Sequence, residues 1–272
     1  MNIGIIPNPK RAEALEICTK VVHKLLELDM TPYVPKKYAD FAQGAVLCEI
    51  DTLYSKADVI VAIGGDGTII RCTQLASSLD KPILGINAGR IGYLASLEPD
   101  NLNDLVKIKE GNYNIEQRMM LKVEYNGIIN YALNDFVISR GSQSKLIDLN
   151  VDINGHSISY RADGIIISTP TGSTAYSLSA GGPVLEPETN NMVISPICPH
   201  SLFSRSLVLD GNSVINVACA NTECEAYMSV DGRQPILIKP DNKITIFRAE
   251  YCAKIININN LSFYDVLSKK LR

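Results

Sequence analysis

The sequence predicts an α/β domain with a parallel sheet over residues 1–115, followed by a β-rich, β-sandwich-like domain over residues 116–253. In the first hundred residues, short apolar runs alternate with stretches of helical spacing, and this alternation is typical of parallel strands joined by helices. After about residue 115 the chain changes to short strand-like segments separated by polar turns. The boundary between the two patterns lies near residues 100–117.

The first domain contains three predicted strands, Asn2–Ile6, Asp58–Ile63 and Pro82–Ile86, because each contains a short apolar run of the length of a buried strand. Ala12–Leu28 is a predicted helix, since its apolar residues recur every three or four positions. Thr68–Leu79, between the second and third strands, is predicted to be a helix as well.

Eight segments of the second domain are predicted strands. They are Leu121–Tyr125, Tyr131–Ser139, Asp148–Ile153, Gly164–Ser168, Ser206–Leu209, Val214–Ala218, Ala226–Val230 and Lys243–Arg248. Asn126-Gly127 and Asn154-Gly155 predict tight hairpins, because both residue types tolerate the positive φ that such turns need. The last stretch, Ser262–Arg272, has the spacing of a short amphipathic helix.

Composition narrows the classes of partner. The 272 residues are 46% hydrophobic and 20% charged, which is enough apolar material for a sizeable core. The 26 Lys and Arg against 29 Asp and Glu give a net charge of −3, so we expect no nucleic-acid partner. No apolar run approaches the roughly 20 residues of a membrane-spanning helix, so we expect no membrane partner either.

The expected compartment is the cytoplasm. A secretory signal would place its charge before the apolar stretch, whereas Lys10 and Arg11 follow it here. The 7 cysteines are scattered without a Cys-x-x-Cys pair, which favours reduced thiols over a disulfide framework or a zinc site. Only 3 histidines are available for a metal site.

A glycine-rich motif, Gly64-Gly65-Asp66-Gly67-Thr68, follows the second predicted strand and precedes a predicted helix. Glycines let backbone N–H groups approach an anion, and the helix adds its positive N-terminus. We therefore predict a phosphate site formed by Gly64, Gly65, Gly67 and Thr68, with Arg71 in the first helical turn as a further contact. A plain strand-to-helix turn is the alternative, but it does not explain an acid between glycines.

The type of phosphate site can be narrowed. A Walker loop is excluded because no Gly-Lys-Ser/Thr follows. A dinucleotide fingerprint is disfavoured, since Ile70 stands at its third glycine and Ile86-Asn87 where a ribose-binding acid is expected about 20 residues on. Asp66 beside phosphates suits a proton acceptor or a metal ligand in phosphoryl transfer, and Mg²⁺ or another divalent cation would help it.

A second motif runs from Arg161-Ala162-Asp163-Gly164 through an apolar strand to Thr169–Pro183. It is dense in hydroxyl groups and small residues and contains one aromatic side chain, Tyr176. Such a loop suits a polar planar ligand, although a Ser/Thr-rich turn between strands is the structural alternative. A serine-hydrolase elbow is excluded, because no Gly-x-Ser-x-Gly occurs here.

Together the two motifs resemble the NAD kinase family, and its bacterial members most closely. Asp163-Gly164 followed by Thr169–Pro183 is the specific part, since lipid kinases and phosphofructokinases share the first motif. The other matching segments are Asn87–Leu94, Leu133-Asn134-Asp135, Pro199–Leu202, Ser229–Gly232 and Ser262–Asp265.

The resemblance implies a reaction and an organisation. The reaction is transfer of the γ-phosphoryl group of ATP to the 2′-hydroxyl of the adenosine ribose of NAD. The organisation is an α/β and a β-rich domain, with a C-terminal tail, about residues 254–272, that returns to the first domain. A homodimer or homotetramer is implied too.

The resemblance also implies site residues. Asp66 matches the catalytic residue near the 2′-hydroxyl, and Asn134 and Asp135 match the pair that holds the ribose hydroxyls, although many members carry Glu at the position of Asp135. The full set matched to NAD is Asp66, Gly67, Arg71, Asn134, Asp135, Lys145, Arg161, Asp163, Thr174, Ala175, Tyr176, Ser177, Ser179 and Arg233. Two alternatives stay open: a lipid kinase of the diacylglycerol or sphingosine type, and a non-catalytic dinucleotide-binding regulator.

Overall fold

The computed structural model describes residues 1–89, 92–142, 145–200, 204–220, 225–239 and 242–270. The chain forms two compact units. The first unit is Met1–Gln117 with Ala253–Arg272, and the second unit is Arg118–Cys252.

The described residues form nineteen strands and six α-helices, besides three 3₁₀ helices over Lys36–Phe41, Pro99–Leu105 and Thr171–Thr174. The strands are β1 (Asn2–Pro7), β2 (Thr31–Pro35), β3 (Val46–Cys48), β4 (Val59–Gly64), β5 (Ile83–Asn87), β6 (Asn114–Arg118), β7 (Leu121–Tyr125), β8 (Ile128–Ala132), β9 (Asp135–Arg140), β10 (Ile147–Ile153), β11 (His156–Ala162), β12 (Gly164–Ser168), β13 (Asn191–Ile197), β14 (Leu207–Asp210), β15 (Ile215–Cys219), β16 (Ala226–Val230), β17 (Ile236–Ile238), β18 (Ile244–Arg248) and β19 (Ala253–Asn257). The helices are α1 (Ala12–Glu27), α2 (Ile50–Lys56), α3 (Asp66–Ser78), α4 (Val106–Glu110), α5 (Tyr176–Ser179) and α6 (Phe263–Lys270).

The first unit contains a seven-stranded sheet in the order β3-β2-β1-β4-β5-β19-β6. The pairs from β3 to β19 are parallel. All six residues of β4 are buried, as expected of a central strand of a parallel sheet. The chain order reverses between β1 and β4, and open α/β sheets bind ligands beyond the carboxyl ends of strands at such a point.

The second unit contains two six-stranded antiparallel sheets. Their orders are β11-β10-β15-β18-β7-β8 and β14-β13-β12-β9-β16-β17. Alternate residues of both sheets share one apolar core, with Leu121 and Val123 from one sheet and Phe136 and Ile138 from the other. The unit is therefore a sandwich built on the alternation of inward and outward side chains.

The predicted fold class is confirmed. Leu121–Tyr125, Gly164–Ser168 and Ala226–Val230 have the predicted bounds, and positive φ at Asn126-Gly127 and Asn154-Gly155 confirms both hairpins. The single strand predicted over Tyr131–Ser139 was wrong, because the chain turns at Leu133 and Asn134 between β8 and β9.

Helix α3 begins at Asp66, two residues earlier than predicted. Arg71 is therefore in the second helical turn, and its placement in the first turn was wrong. Gly65, in an extended conformation, is the residue that precedes the helix.

Some sequence features fall outside the described residues, namely Arg90, Ile91, Ser201, Leu202 and one cysteine, Cys224. The cysteines within the described ranges are free thiols. Within those same ranges, the helices are too short or too polar to span a bilayer.

Candidate functional site

The phosphate loop, defined here as Gly64–Thr68, connects the buried strand β4 to the N-terminus of α3. A Cβ atom at Gly64 would lie 2.3 Å from the Thr68 Oγ1 atom, so close packing within the loop requires glycine there. A Cβ atom at Gly65 or Gly67 would meet no described atom within 4 Å. Packing therefore does not require glycine at these two positions, which suits backbone that faces an anion.

The carboxylate of Asp66 is held in one orientation by the loop that follows β5. Its Oδ2 atom accepts a hydrogen bond from the Tyr93 N–H at 2.8 Å, and its Oδ1 atom accepts one from the Leu94 N–H at 3.1 Å. A Cβ atom at Gly92 would lie only 1.9 Å from Oδ1, so the loop approaches the carboxylate as closely as glycine allows. The side chain is thus oriented in advance rather than free to rotate.

Arg71 lies beside the phosphate loop. Its Nη2 atom donates a hydrogen bond to the Thr68 Oγ1 atom at 3.2 Å. The contact places a guanidinium group next to the phosphate loop, where it can pair with an anion.

The second unit has an open pocket of about 360 Å³. Three of the predicted NAD-contacting side chains, Asn134, Asp135 and Tyr176, line it together with Ala175. The remaining lining residues are Val137, Ser229, Asp231 and Gly232. The Tyr176 side chain is about half exposed and offers an aromatic face at the pocket.

Asp231 organises this pocket. Its carboxylate accepts backbone hydrogen bonds from Leu133 at 2.9 Å, from Asn134 at 2.8 Å and from Asp135 at 3.2 Å. These contacts hold the turn between β8 and β9, from which the Asn134 and Asp135 side chains project.

The same turn is also held by the loop that follows β12. The Thr169 N–H donates to the Asn134 carbonyl at 2.9 Å, and a Cβ atom at Gly172 would lie 2.0 Å from that carbonyl oxygen. Glycine at 172 is therefore needed for close approach of the two loops.

The pocket holds two carboxyl groups in a region of low solvent access. Burial raises the pKa of Asp135 to about 7, and the nearby Asp231 carboxylate adds to the rise. Burial also raises the pKa of Asp231, while its three backbone donors oppose that rise. Arg233 lies near Asp231, and burial lowers the pKa of its guanidinium while Asp231 raises it.

The predicted residues of the hydroxyl-rich loop divide into two groups. Ala175 and Tyr176 line the pocket, and Ser179 is exposed on α5. Thr174 and Ser177 have local partners instead: Thr174 donates to the Thr171 carbonyl at 3.2 Å, and the fully buried Ser177 hydroxyl lies 3.0 Å from that of Ser195. The geometry of these last two is that of groups that shape the loop.

Of the predicted charged residues of the second unit, Asp135 lines the pocket, whereas Lys145, Arg161, Asp163 and Arg233 are not among its lining residues. Asp163 forms an ion pair with Arg140, whose Nε atom lies 2.5 Å from the Oδ1 atom of Asp163. Arg161 is largely exposed, with Asp148 4.0 Å away, and Lys145 is also exposed.

No group of three or more His, Cys, Asp or Glu side chains that could hold a metal ion occurs within the described ranges. Asp66 is the carboxylate of the phosphate loop, and a carboxylate oxygen is a ligand that Mg²⁺ accepts.

Comparison with protein-family models gives a match for each of two ranges of the chain. Residues 3–113 match the model of the ATP-NAD kinase N-terminal domain, and residues 133–258 match that of the ATP-NAD kinase C-terminal domain. The chain belongs to the ATP-NAD kinase family.

Bacterial relatives named NAD kinase are similar over most or nearly all of the chain. The NAD kinase of Thermoanaerobacter sp. strain X514 is 38% identical over 280 residues, which cover 99% of this chain and 98% of the relative. The NAD kinase of Carboxydothermus hydrogenoformans is 42% identical over 233 residues, 83% of each chain.

Two solved structures are similar as well. An NAD kinase from Archaeoglobus fulgidus in complex with ATP has a TM-score of 0.78 and 26% identity, covering 100% of this chain and 99% of that one. Yeast NADH kinase complexed with NADH has a TM-score of 0.89 and covers 100% of this chain and 87% of that one. At 23% sequence identity, this structural similarity shows a common fold and nothing further.

Within this ATP-NAD kinase framework, the set of site residues predicted from the sequence leaves out three functional candidates. Asp231 belongs to the matching segment Ser229–Gly232, but the sequence does not indicate its three backbone contacts. Arg140 gave no signal, because its partner Asp163 is 23 residues away. Lys270, which lies 3.7 Å from Asp66, is separated from it by most of the chain.

Proposed function

We propose that this protein is an NAD kinase, which transfers the γ-phosphoryl group of ATP to the 2′-hydroxyl of the adenosine ribose of NAD and yields NADP and ADP. Family membership and the named bacterial relatives support this proposal. The structural observation that carries it is Asp66, whose carboxylate is fixed by two backbone N–H groups at the N-terminus of α3.

The phosphate loop is proposed to bind the phosphates of ATP. Backbone N–H groups of Gly65 and Gly67 and the N-terminus of α3 supply positive charge without a side chain, and Arg71 adds a guanidinium beside Thr68. The similar Archaeoglobus enzyme is a complex with ATP, which supports the same donor here.

Asp66 is proposed to be the general base. The oxygen of the ribose 2′-hydroxyl forms a bond with the γ-phosphorus, and the bond from that phosphorus to the bridging oxygen of ADP breaks. The hydroxyl proton passes to the Asp66 carboxylate. Because two backbone donors already orient this carboxylate, it needs little reorganisation to take up that proton.

The pocket of the second unit is proposed to bind NAD. Asn134 and Asp135 are suited to a vicinal diol, because an amide and a carboxyl group together offer donors and acceptors. Tyr176 offers a face for a base, and Ala175 leaves room beside it. Exposed Arg161 and Lys145 are proposed to meet phosphate groups of the dinucleotide, while Asp163 and Arg233 complete the charged surroundings.

A divalent cation, Mg²⁺ in the first instance, is proposed to accompany ATP. The phosphates and the Asp66 carboxylate would hold it, in keeping with the preference of Mg²⁺ for phosphates and one or two carboxylates. Its chemistry would be to neutralise charge on the transferred group. We further propose a cytoplasmic enzyme that assembles as a homodimer or homotetramer.

The direct test is an activity assay. The full chain is incubated with NAD, ATP and Mg²⁺, and NADP is measured with an NADP-specific dehydrogenase. We expect NADP to form with time and with enzyme concentration. No NADP above a heat-treated control would overturn the proposal; tight NAD binding without transfer would then indicate a regulator, and lipid phosphorylation with vesicle co-sedimentation would indicate a lipid kinase.

Replacement of Asp66 tests the assigned base. Asp66→Asn should lower kcat by ~10²-fold or more, because an amide cannot accept the proton. NAD binding, measured by calorimetry, should be largely retained, since the pocket side chains are unchanged. A variant with near-normal kcat would remove Asp66 from the mechanism.

A further inference from the structure

The C-terminal helix α6 brings a cation to the carboxylate of Asp66. The Nζ atom of Lys270 lies 3.7 Å from Oδ2 of Asp66 and 3.8 Å from the centre of the Tyr93 ring. Both charged side chains are about three-quarters covered, with 23% and 28% of their surfaces exposed. One ammonium group thus meets a carboxylate and an aromatic face within the first unit.

The contact is not explained by packing of the helix. None of the residues of α6 is fully buried, and ion pairs near the surface contribute little to stability. A long lysine side chain also loses rotamer freedom when it is fixed between two partners. The position of Lys270 therefore calls for another explanation than stabilisation of the fold.

The positive charge of Lys270 explains its position beside Asp66. The proposed reaction brings the anionic phosphates of ATP to a loop that already contains an anionic carboxylate, and like charges repel. Arg71 contacts the loop through the Thr68 hydroxyl group, whereas Lys270 contacts the carboxylate itself. An ammonium there offsets the carboxylate charge and adds a third anchor to the two backbone donors.

We propose that Lys270 is a positioning residue for phosphoryl transfer, which holds the Asp66 carboxylate and compensates its charge as the phosphates of ATP approach. The proposal rests on the proposed function and deepens it, because it assigns to α6 a part in the reaction. Lys270 acts through Asp66, so its effect on the rate should depend on that carboxylate.

The test compares Lys270→Met, Lys270→Arg and Lys269→Met in the full chain. Lys270→Met keeps the length of the side chain without its charge, and we expect kcat to fall ~10-fold or more and the KM for ATP to rise, with the KM for NAD nearly unchanged. Lys270→Arg should recover most of the lost kcat. Lys269→Met, at the exposed neighbour, should behave as wild type.

A double-variant cycle isolates action through Asp66. In an Asp66→Asn background, Lys270→Met should cost less than ~3-fold further in kcat, because the group on which it acts is gone. An equal loss in both backgrounds would overturn the proposal. Urea unfolding of Lys270→Met should match wild type; if that variant is unfolded, Lys270→Gln takes its place in the cycle.

Two more results would overturn the inference: kcat of Lys270→Met within about twofold of wild type, or a higher kcat, which would make the contact inhibitory. Failure of the proposed function looks different, because wild-type protein would then form no NADP at all. If the wild-type protein forms NADP and Lys270→Met has unchanged kinetics, the inference about Lys270 fails while the proposed function stands.

Discussion

The side chains of two aspartates in this chain are held in the same way, by hydrogen bonds from backbone N–H groups. Asp66 accepts two backbone N–H groups and Asp231 accepts three, and in each case the donors belong to a turn distant in the sequence. Both residues stand before glycine, and that local signal is visible in the sequence. The donors are not visible, because they are brought in only by the packing of the sheets.

Asp135 gives stability a pH dependence of predictable sign. Its pKa is about 7 in the folded chain against an ordinary value of 3.8, so proton uptake favours folding. This contribution to stability is fully present below pH 3.8 and is lost as the pH rises through about 7. Asp135→Asn should therefore be more stable than wild type by ~2 kcal/mol at pH 8, because the buried charge is removed.

The measurement is urea unfolding of both proteins at pH 8 and at pH 5. The advantage of the asparagine variant should shrink by ~1–2 kcal/mol at the lower pH, where wild-type Asp135 is protonated. Asp40→Asn is the control, since Asp40 is exposed, and its effect should not change between the two pH values. A constant advantage for Asp135→Asn would contradict the assigned cause.

At the scale of elements, the local sequence pattern predicted those strands, turns and helices whose formation depends on neighbouring residues. The run before Gly64 and the glycines after it predicted β4, the turn and α3, because burial and backbone freedom act within a few residues. The turn at Leu133 and Asn134 was missed, since both neighbouring stretches have strand character. Asp231, nearly a hundred residues further along, and the Thr169 loop hold that turn.

Two glycines in these loops allow matched substitutions. Gly92→Ala would drive a Cβ atom to 1.9 Å from the Asp66 Oδ1 atom, and Gly172→Ala would drive one to 2.0 Å from the Asn134 carbonyl oxygen. We expect Gly92→Ala to lower kcat ~10-fold or more by displacing the carboxylate, with NAD affinity retained. We expect Gly172→Ala to weaken NAD binding by ~10-fold or more by displacing the ribose-binding turn.

Steady-state kinetics and calorimetric NAD titration distinguish the two variants, and each serves as the control for the other. Overpacking costs ~1–3 kcal/mol of stability in either case, so thermal unfolding should report similar losses. The same pattern of kcat and NAD affinity in both variants would mean that the two loops do not have separate tasks.

For the whole molecule, β19 is one of the strands that local pattern did not predict, and its place in a sheet could not be predicted from local pattern either. Ala253–Asn257 lies in the sheet of the first unit between β5 and β6, although the entire second unit separates it from them in the chain. The family resemblance implied a returning tail, but neither composition nor periodicity of five residues can indicate which sheet they join. Sequence reasoning therefore recovers the classes of the two units more readily than the path of the chain through them.

This topology predicts different behaviour for fragments of the two units. Residues 118–252 should unfold cooperatively when expressed alone, because their two sheets enclose their own core. Residues 1–117 alone lack β19 with Ile256, and they lack Ile258 just after it; both isoleucines are buried in the core of the first unit. Since loss of one buried isoleucine costs ~2–5 kcal/mol against a typical total of ~5–15 kcal/mol, this fragment should not fold stably.

Urea unfolding followed by circular dichroism, with size-exclusion chromatography, measures these outcomes. Joining residues 1–117 to 253–272 through a short Gly/Ser linker should restore a cooperative transition, because β19 can then pair with β5. The same joined protein with Ile256→Asn is the matched control and should lose that transition, since a buried amide without partners is costly. If residues 1–117 alone unfolded with the same midpoint as the joined protein, β19 would contribute nothing to the unit in which it lies, and the strand order would not determine how the chain folds.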